Sequence, residues 1–208
     1  MNARTWAKSR RMARAVSAIL VCGSACAASA RPPDVTAVQE RPAADRLITN
    51  SSMGRLRLGM TLDEARRTLG TVAVLSRTED GDGAALVAVM EGQEPTLTLS
   101  ANEDDPARPI DWSRPIEYIA TSNAAFHTAE GVRPGALVED VVRLFGPVTE
   151  IVVSEIESRE FIRFERQPPA LTFRLDYTGI FTDGARRTTR FSTGATILSI
   201  AISSFDQP

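Results

Sequence analysis

The side chains that most often carry out chemistry are scarce in this chain. It has one histidine, His127, and two cysteines, Cys22 and Cys26. A Ser-His-Asp arrangement would have to be built on His127, and no nucleophile-elbow motif stands near it. Zinc and copper sites draw on clusters of His and Cys, which this sequence does not offer. Two acidic runs have the oxygen ligands that calcium prefers: Glu79-Asp80-Gly81-Asp82 and Glu103-Asp104-Asp105. Neither follows the spacing of an EF-hand loop, and both read as polar turns. No Gly-rich phosphate loop is present, and no pair of carboxylates is singled out for glycosidic hydrolysis. These readings predict no catalytic residue, no metal and no cofactor. A hydrolase built on His127 and nearby carboxylates is kept as an alternative.

Binding chemistry is better supplied. The connection 102–114 carries Trp112, the only tryptophan after Trp6, and the connection 178–195 carries Phe181, Arg186, Arg187, Arg190 and Phe191. Aromatics and arginines beside a turn are the types that dominate binding hot spots. The second connection is expected to form an extended hairpin about Asp183-Gly184 with a solvated tip, its aromatics folded back onto the sheet. The other reading is a hairpin that docks an acidic partner through these arginines and aromatics.

The elements that would hold these residues recur in sequence. Gly54-Arg-Leu-Arg-Leu-Gly-Met-Thr-Leu-Asp-Glu-Ala-Arg-Arg-Thr-Leu-Gly70 aligns with Glu130-Gly-Val-Arg-Pro-Gly-Ala-Leu-Val-Glu-Asp-Val-Val-Arg-Leu-Phe-Gly146, 76 residues later. Thr96–Leu99 falls on Thr172–Leu175 at the same offset, and Ile116–Ser122 falls on Ile197–Ser203 after a small length change. Each copy opens on a short helix. Thr61 and Glu64 form a capping box, and Leu62, Ala65 and Leu69 share one face. Val138, Val141 and Phe145 hold the same places in the second helix, where Leu137 has replaced the capping threonine. Gly70 and Gly146-Pro147 end the two helices.

Strands are expected near 72–78, 84–91, 95–101 and 115–122, then near 148–156, 160–166, 170–177 and 196–203. The expected fold is therefore α+β: a tandem of two helix-plus-four-antiparallel-strand units, at 49–125 and 126–208, with the helices on one face of the sheet.

The motif Gly59-Met60-Thr61…Glu64…Leu69-Gly70 resembles one found in exported bacterial proteins. These are the β-lactamase-inhibitory-protein-like fold and the small outer-membrane-assembly lipoproteins. With Phe126-His127-Thr128-Ala129-Glu130-Gly131, the chain is also similar to uncharacterised secreted proteins whose second unit begins Phe-x-Thr-x-Glu-Gly. The resemblance implies an envelope setting. It does not bring over lactamase inhibition, since those inhibitors carry disulfides and this chain has no cysteine after residue 26.

Residues 1–30 read as a signal peptide: basic residues, the apolar run Ala15–Val21, then Ala28-Ser29-Ala30 for cleavage. Acylation of Cys26 after Gly23-Ser24-Ala25 is the alternative, although glycine stands where leucine is usual. Residues 31–48, rich in Pro and charge, read as a disordered leader. Arg4, Lys8, Arg10, Arg11 and Arg14 precede residue 31 with no acid among them, while the whole chain has a formal net charge of −2. The chain from residue 31 onward is therefore more acidic still, which speaks against nucleic-acid binding. No later run is long enough for a transmembrane helix. The sequence thus points to a non-enzymatic, periplasmic or secreted binding or scaffold protein that engages a protein or an envelope component. A lipid-anchored envelope-assembly factor is the second reading.

Overall fold

A computed structural model describes residues 44–80, 84–100, 109–155 and 158–204. The chain begins with a 3-10 turn at Ala44–Arg46 and three two-residue strands, β1 (Leu47–Ile48), β2 (Ser52–Met53) and β3 (Leu56–Arg57). Helix α1 (Leu62–Leu69) leads into β4 (Val74–Asp80), β5 (Ala84–Glu91), β6 (Glu94–Ser100) and β7 (Tyr118–Thr121). After β8 (His127–Thr128) comes helix α2 (Val138–Phe145). The chain continues through β9 (Val148–Val153), β10 (Glu160–Phe164), β11 (Leu171–Leu175), β12 (Arg187–Thr188) and β13 (Ile197–Ser203).

The strands form two sheets. The small one runs β3-β2-β1-β8, and the large one runs β12-β9-β10-β11-β13-β7-β6-β5-β4. Every pairing in the large sheet is antiparallel. In the small sheet β1 pairs with β8 in parallel, joining Leu47 to His127.

This corrects the expected fold class. The protein is mostly β, with thirteen strands against two helices of eight residues each among the described residues. It is not an α+β tandem of helix-plus-four-strand units. The strands of both halves run into one nine-stranded sheet through β7 and β13, where Ile119 faces Ile202 and Thr121 faces Ile200. The segments ahead of the helices add a second sheet, which strand periodicity does not predict.

The core follows from strand periodicity. Thr121, Ile200, Phe173, Ile162 and Ile151 stand opposite one another across five strands, and Leu75, Val89 and Leu97 do so across three others. Most of these side chains are buried, and they pack with the buried faces of the helices. Those faces are Leu62, Ala65 and Leu69 in α1, and Val138, Val141 and Phe145 in α2. Phe145 meets Phe164 and Phe173 at centroid separations of 6.4 and 6.0 Å, arrangements that aromatic rings favour.

The expected cap of α1 is present. The Thr61 hydroxyl accepts from the Glu64 amide at 3.1 Å, and Glu64 Oε2 accepts from the Thr61 amide at 2.8 Å. At α2, Leu137 occupies the cap position and supplies no side-chain bond. Gly70 and Gly146 end their helices at φ +61° and +85°, in the region where a side chain is strained. No helix among the described residues is long and apolar enough to cross a membrane.

Candidate functional site

The binding residues expected from sequence lie in two places. Trp112 sits at the start of α1, where its carbonyl accepts from the Asp63 amide at 2.9 Å. The Arg66 guanidinium lies over its ring, 5.1 Å from the centroid. The ring is half-buried and packs against the core. The other five residues belong to the segment after β11, and no described contact joins Trp112 to them.

That segment leaves β11 at Leu175 and turns at once. Tyr177 has φ +53°, a left-handed conformation that is rare for an aromatic residue. The chain then forms a short ladder with itself. Gly179 bridges Phe191, the Ile180 amide donates to the Arg190 carbonyl at 2.8 Å, and the Ser192 amide donates to Thr178 at 2.8 Å. The far end closes with a bond from the Ala185 amide to the Thr182 carbonyl at 2.9 Å, around Asp183-Gly184 as the sequence implied.

Strand β12, on the returning limb, adds to the edge of β9, with Arg187 facing Val152 and Thr188 facing Ile151. Arg186 Nη2 donates to the Ser154 and Val153 carbonyls at 2.7 and 3.2 Å. Arg187 Nη1 donates to Glu150 Oε1 at 2.7 Å. Two of the three expected binding arginines therefore tie the segment to β9. Arg190 is exposed, and its guanidinium has no bonding partner among the described residues.

A second fastening lies at the base. Glu160 begins β10 and is only 2% exposed. Its Oε2 accepts from the Thr178 amide at 2.7 Å, and the Gly179 amide donates to Oε1 and Oε2 at 3.0 and 3.1 Å. A Cβ at position 179 would run into Glu160 Oε1 and come within 2.7 Å of the Phe181 ring, so any larger residue would displace one of them. Phe181 and Phe191 are half-buried against the core. They hold the segment against the core, while other side chains form its outer surface. In the ladder, Ile180 and Arg190 stand opposite each other on one face, with Gly179 and Phe191 on the other. Ile180 is 38% exposed, and Tyr177 at the base is 63% exposed, among the most exposed large apolar side chains described.

Sequence alternation places Tyr177 inside a strand ending at 177, so it gives no sign of this exposure. Ile180 belongs to the connection in sequence, but nothing local marks it as a surface residue. His127 lies in β8 with Nδ1 3.0 Å from the Thr128 carbonyl. Cys26, residues 103–105 and residues 81–82 lie outside the described residues. Among those described, no group of three or more His, Cys, Asp or Glu gathers as metal ligands do.

No protein-family model matches this chain, and no curated protein matches it. Among solved structures, the fold is similar to that of the uncharacterized protein YfeY from Escherichia coli. The TM-score is 0.50 and the identity 11%, covering 74% of this chain and 97% of that one. At that identity the likeness concerns the fold.

Proposed function

We propose that this is a non-enzymatic binding or scaffold protein of the bacterial cell envelope that engages an acidic partner through the segment 176–192. One observation carries the reading. A long connection is fastened at both ends, on Glu160 and on β9, yet it presents Tyr177, Ile180 and an unengaged Arg190 outward. Tyrosine and arginine lead binding hot spots, and a surface held in place before docking loses little entropy when it docks. Arg190 supplies the positive charge that an acidic protein or anionic envelope component would meet.

The envelope setting rests on the N-terminal sequence: a basic start, an apolar run and Ala28-Ser29-Ala30. Mass spectrometry of the exported protein should find Arg31 at the N-terminus. A diacylglyceryl Cys26 would instead favour the lipid-anchored assembly factor. For binding, the exported chain would be immobilised and exposed to a solubilised native envelope. Replacing Tyr177 and Arg190 with alanine should abolish what the wild type retains. Equal retention by that double variant would exclude the segment as the binding surface.

A further inference from the structure

We infer that Glu160 is the positioning residue of this surface: a buried carboxylate that fixes the conformation in which Tyr177, Ile180 and Arg190 are presented. As a statement about binding, this rests on the function proposed above. As a statement about conformation, it rests on geometry alone.

A carboxylate out of contact with water is costly unless its oxygens are satisfied. Glu160 is 2% exposed, and both of its oxygens are taken up by two successive backbone amides, of Thr178 and Gly179. No salt bridge to Glu160 occurs among the described residues. Successive amides turned toward one anion form the concave donor set by which backbone holds phosphates and carboxylates. Here the anion belongs to the protein itself and sits on a central strand. Glu160 pairs with Val153 on one side and Leu175 on the other, so the rigid sheet determines where the two amides must lie.

Three further details fit a positioning role. The approach is so close that a Cβ at Gly179 would displace the Glu160 carboxylate or the Phe181 ring. Tyr177, just before the two amides, takes its left-handed φ of +53°, and such strain persists only where the surroundings impose it. The next residue, Ile180, starts the ladder whose outward face is Ile180 with Arg190.

A neutral isostere separates this role from simple filling of space. Glu160→Gln keeps the volume but replaces one acceptor oxygen with an NH2 group, which would face an amide that is itself a donor. Hydrogen exchange should then speed up by about 100-fold at the Gly179 amide, which would face the NH2 group, and less at Thr178, whose one acceptor position the Gln oxygen can still fill. Exchange at Ile162 and Phe173 in the core should change by less than about tenfold. Gly179→Ala offers a second route that leaves the carboxylate in place, since the added methyl should lift the segment and release the Thr178 amide.

If both amides stay protected in both variants, the inference is overturned, whatever happens to binding. If Glu160→Gln exchanges like the wild type and only Gly179→Ala loosens, shape rather than the anion positions the segment, and the inference is again overturned. If the amides loosen in both and envelope capture falls with them, both the positioning role and the proposed surface stand. If they loosen while capture is unchanged, Glu160 still positions the segment, and it is the proposed function that fails.

Discussion

The amide of Gly135 donates to the carbonyl of Ile197 at 2.7 Å, and the amide of Gly59 donates to that of Ile116 at 2.8 Å. In both places the reverse bond is also made, from Ile197 to Ala136 at 2.9 Å and from Ile116 to Met60 at 2.7 Å. The next orphan amides of each helix start find backbone acceptors as well, Val138 on Ala195 and Leu62 on Arg114. The two helix entries are thus built alike, and they differ at the cap.

Leu137→Thr should therefore stabilise the protein. Leu137 is 42% exposed and makes no cap bond, whereas Thr61 in the corresponding place makes one. A gain of about 1 kcal/mol is expected, and Thr61→Ala should lose a similar amount. Urea unfolding measures both. No gain from Leu137→Thr would mean that the Asp140 amide, which donates to the Leu137 carbonyl at 3.0 Å, gains nothing from a hydroxyl acceptor.

Acid should loosen the start of α1. Bonds from Arg67 and Arg66 hold Asp63 below its ordinary value of 3.8, and bonds from the Thr61 amide and hydroxyl hold Glu64 below 4.5. Because the folded-state values are the depressed ones, this stabilisation is complete above those ordinary values. It fades as pH falls through the lower values of the folded state. Thermal unfolding followed from pH 7 to pH 2 should show a shallower acid limb in Glu64→Gln than in the wild type. Identical limbs would show that the cap plays no part in acid sensitivity.

Phe145→Ala should cost about 3–5 kcal/mol, because the ring is buried among Phe164 and Phe173 and its removal leaves a cavity. Its neighbour Leu144 is 45% exposed, and Leu144→Ala should cost less than about 1 kcal/mol. Chemical denaturation compares the two directly. Equal losses would contradict the orientation of α2.

Both helices and the eight long strands can be read in the sequence, because caps, terminal glycines and alternation are local signals. Thr61 with Glu64, Gly70 and Gly146-Pro147 mark the helix ends, and Leu97 with Leu99 and Phe173 with Leu175 mark strand faces. The small sheet leaves no such trace: pairs such as Leu47–Ile48 and His127–Thr128 are too short to alternate, and long-range pairing alone defines them. The shared sheet is hidden for a related reason, since nothing local in Ile197–Ser203 says that β7 lies beside it. In the 178–195 connection, residue types point to binding, but orientation cannot be read. Phe181 and Phe191 turn inward because the ladder puts Phe191 opposite Gly179. Arg186 and Arg187 turn to β9 because its last carbonyls and Glu150 lie within reach.

The three arginines should therefore separate by experiment. Arg186→Ala and Arg187→Ala each remove a tie to β9 and should cost about 0.5–1 kcal/mol, the range for exposed charged contacts. The melting temperature should fall by about 1–4 °C in each. Arg190→Ala should leave it unchanged while weakening envelope capture and its salt dependence. A destabilised Arg190→Ala would mean that this side chain also holds the segment down.

The place of β13 bears on how the molecule comes together in time. Among the described residues it is the last strand in chain order, yet it lies between β11 and β7, near the middle of the nine-stranded sheet. Until residues 197–203 are available, the strands before and after α2 have no hydrogen bonds joining them in that sheet. A chain arranged this way cannot finish its sheet progressively as it emerges from a ribosome or a translocation pore. The closing step pairs residue 119 with residue 202, a separation that makes folding slow.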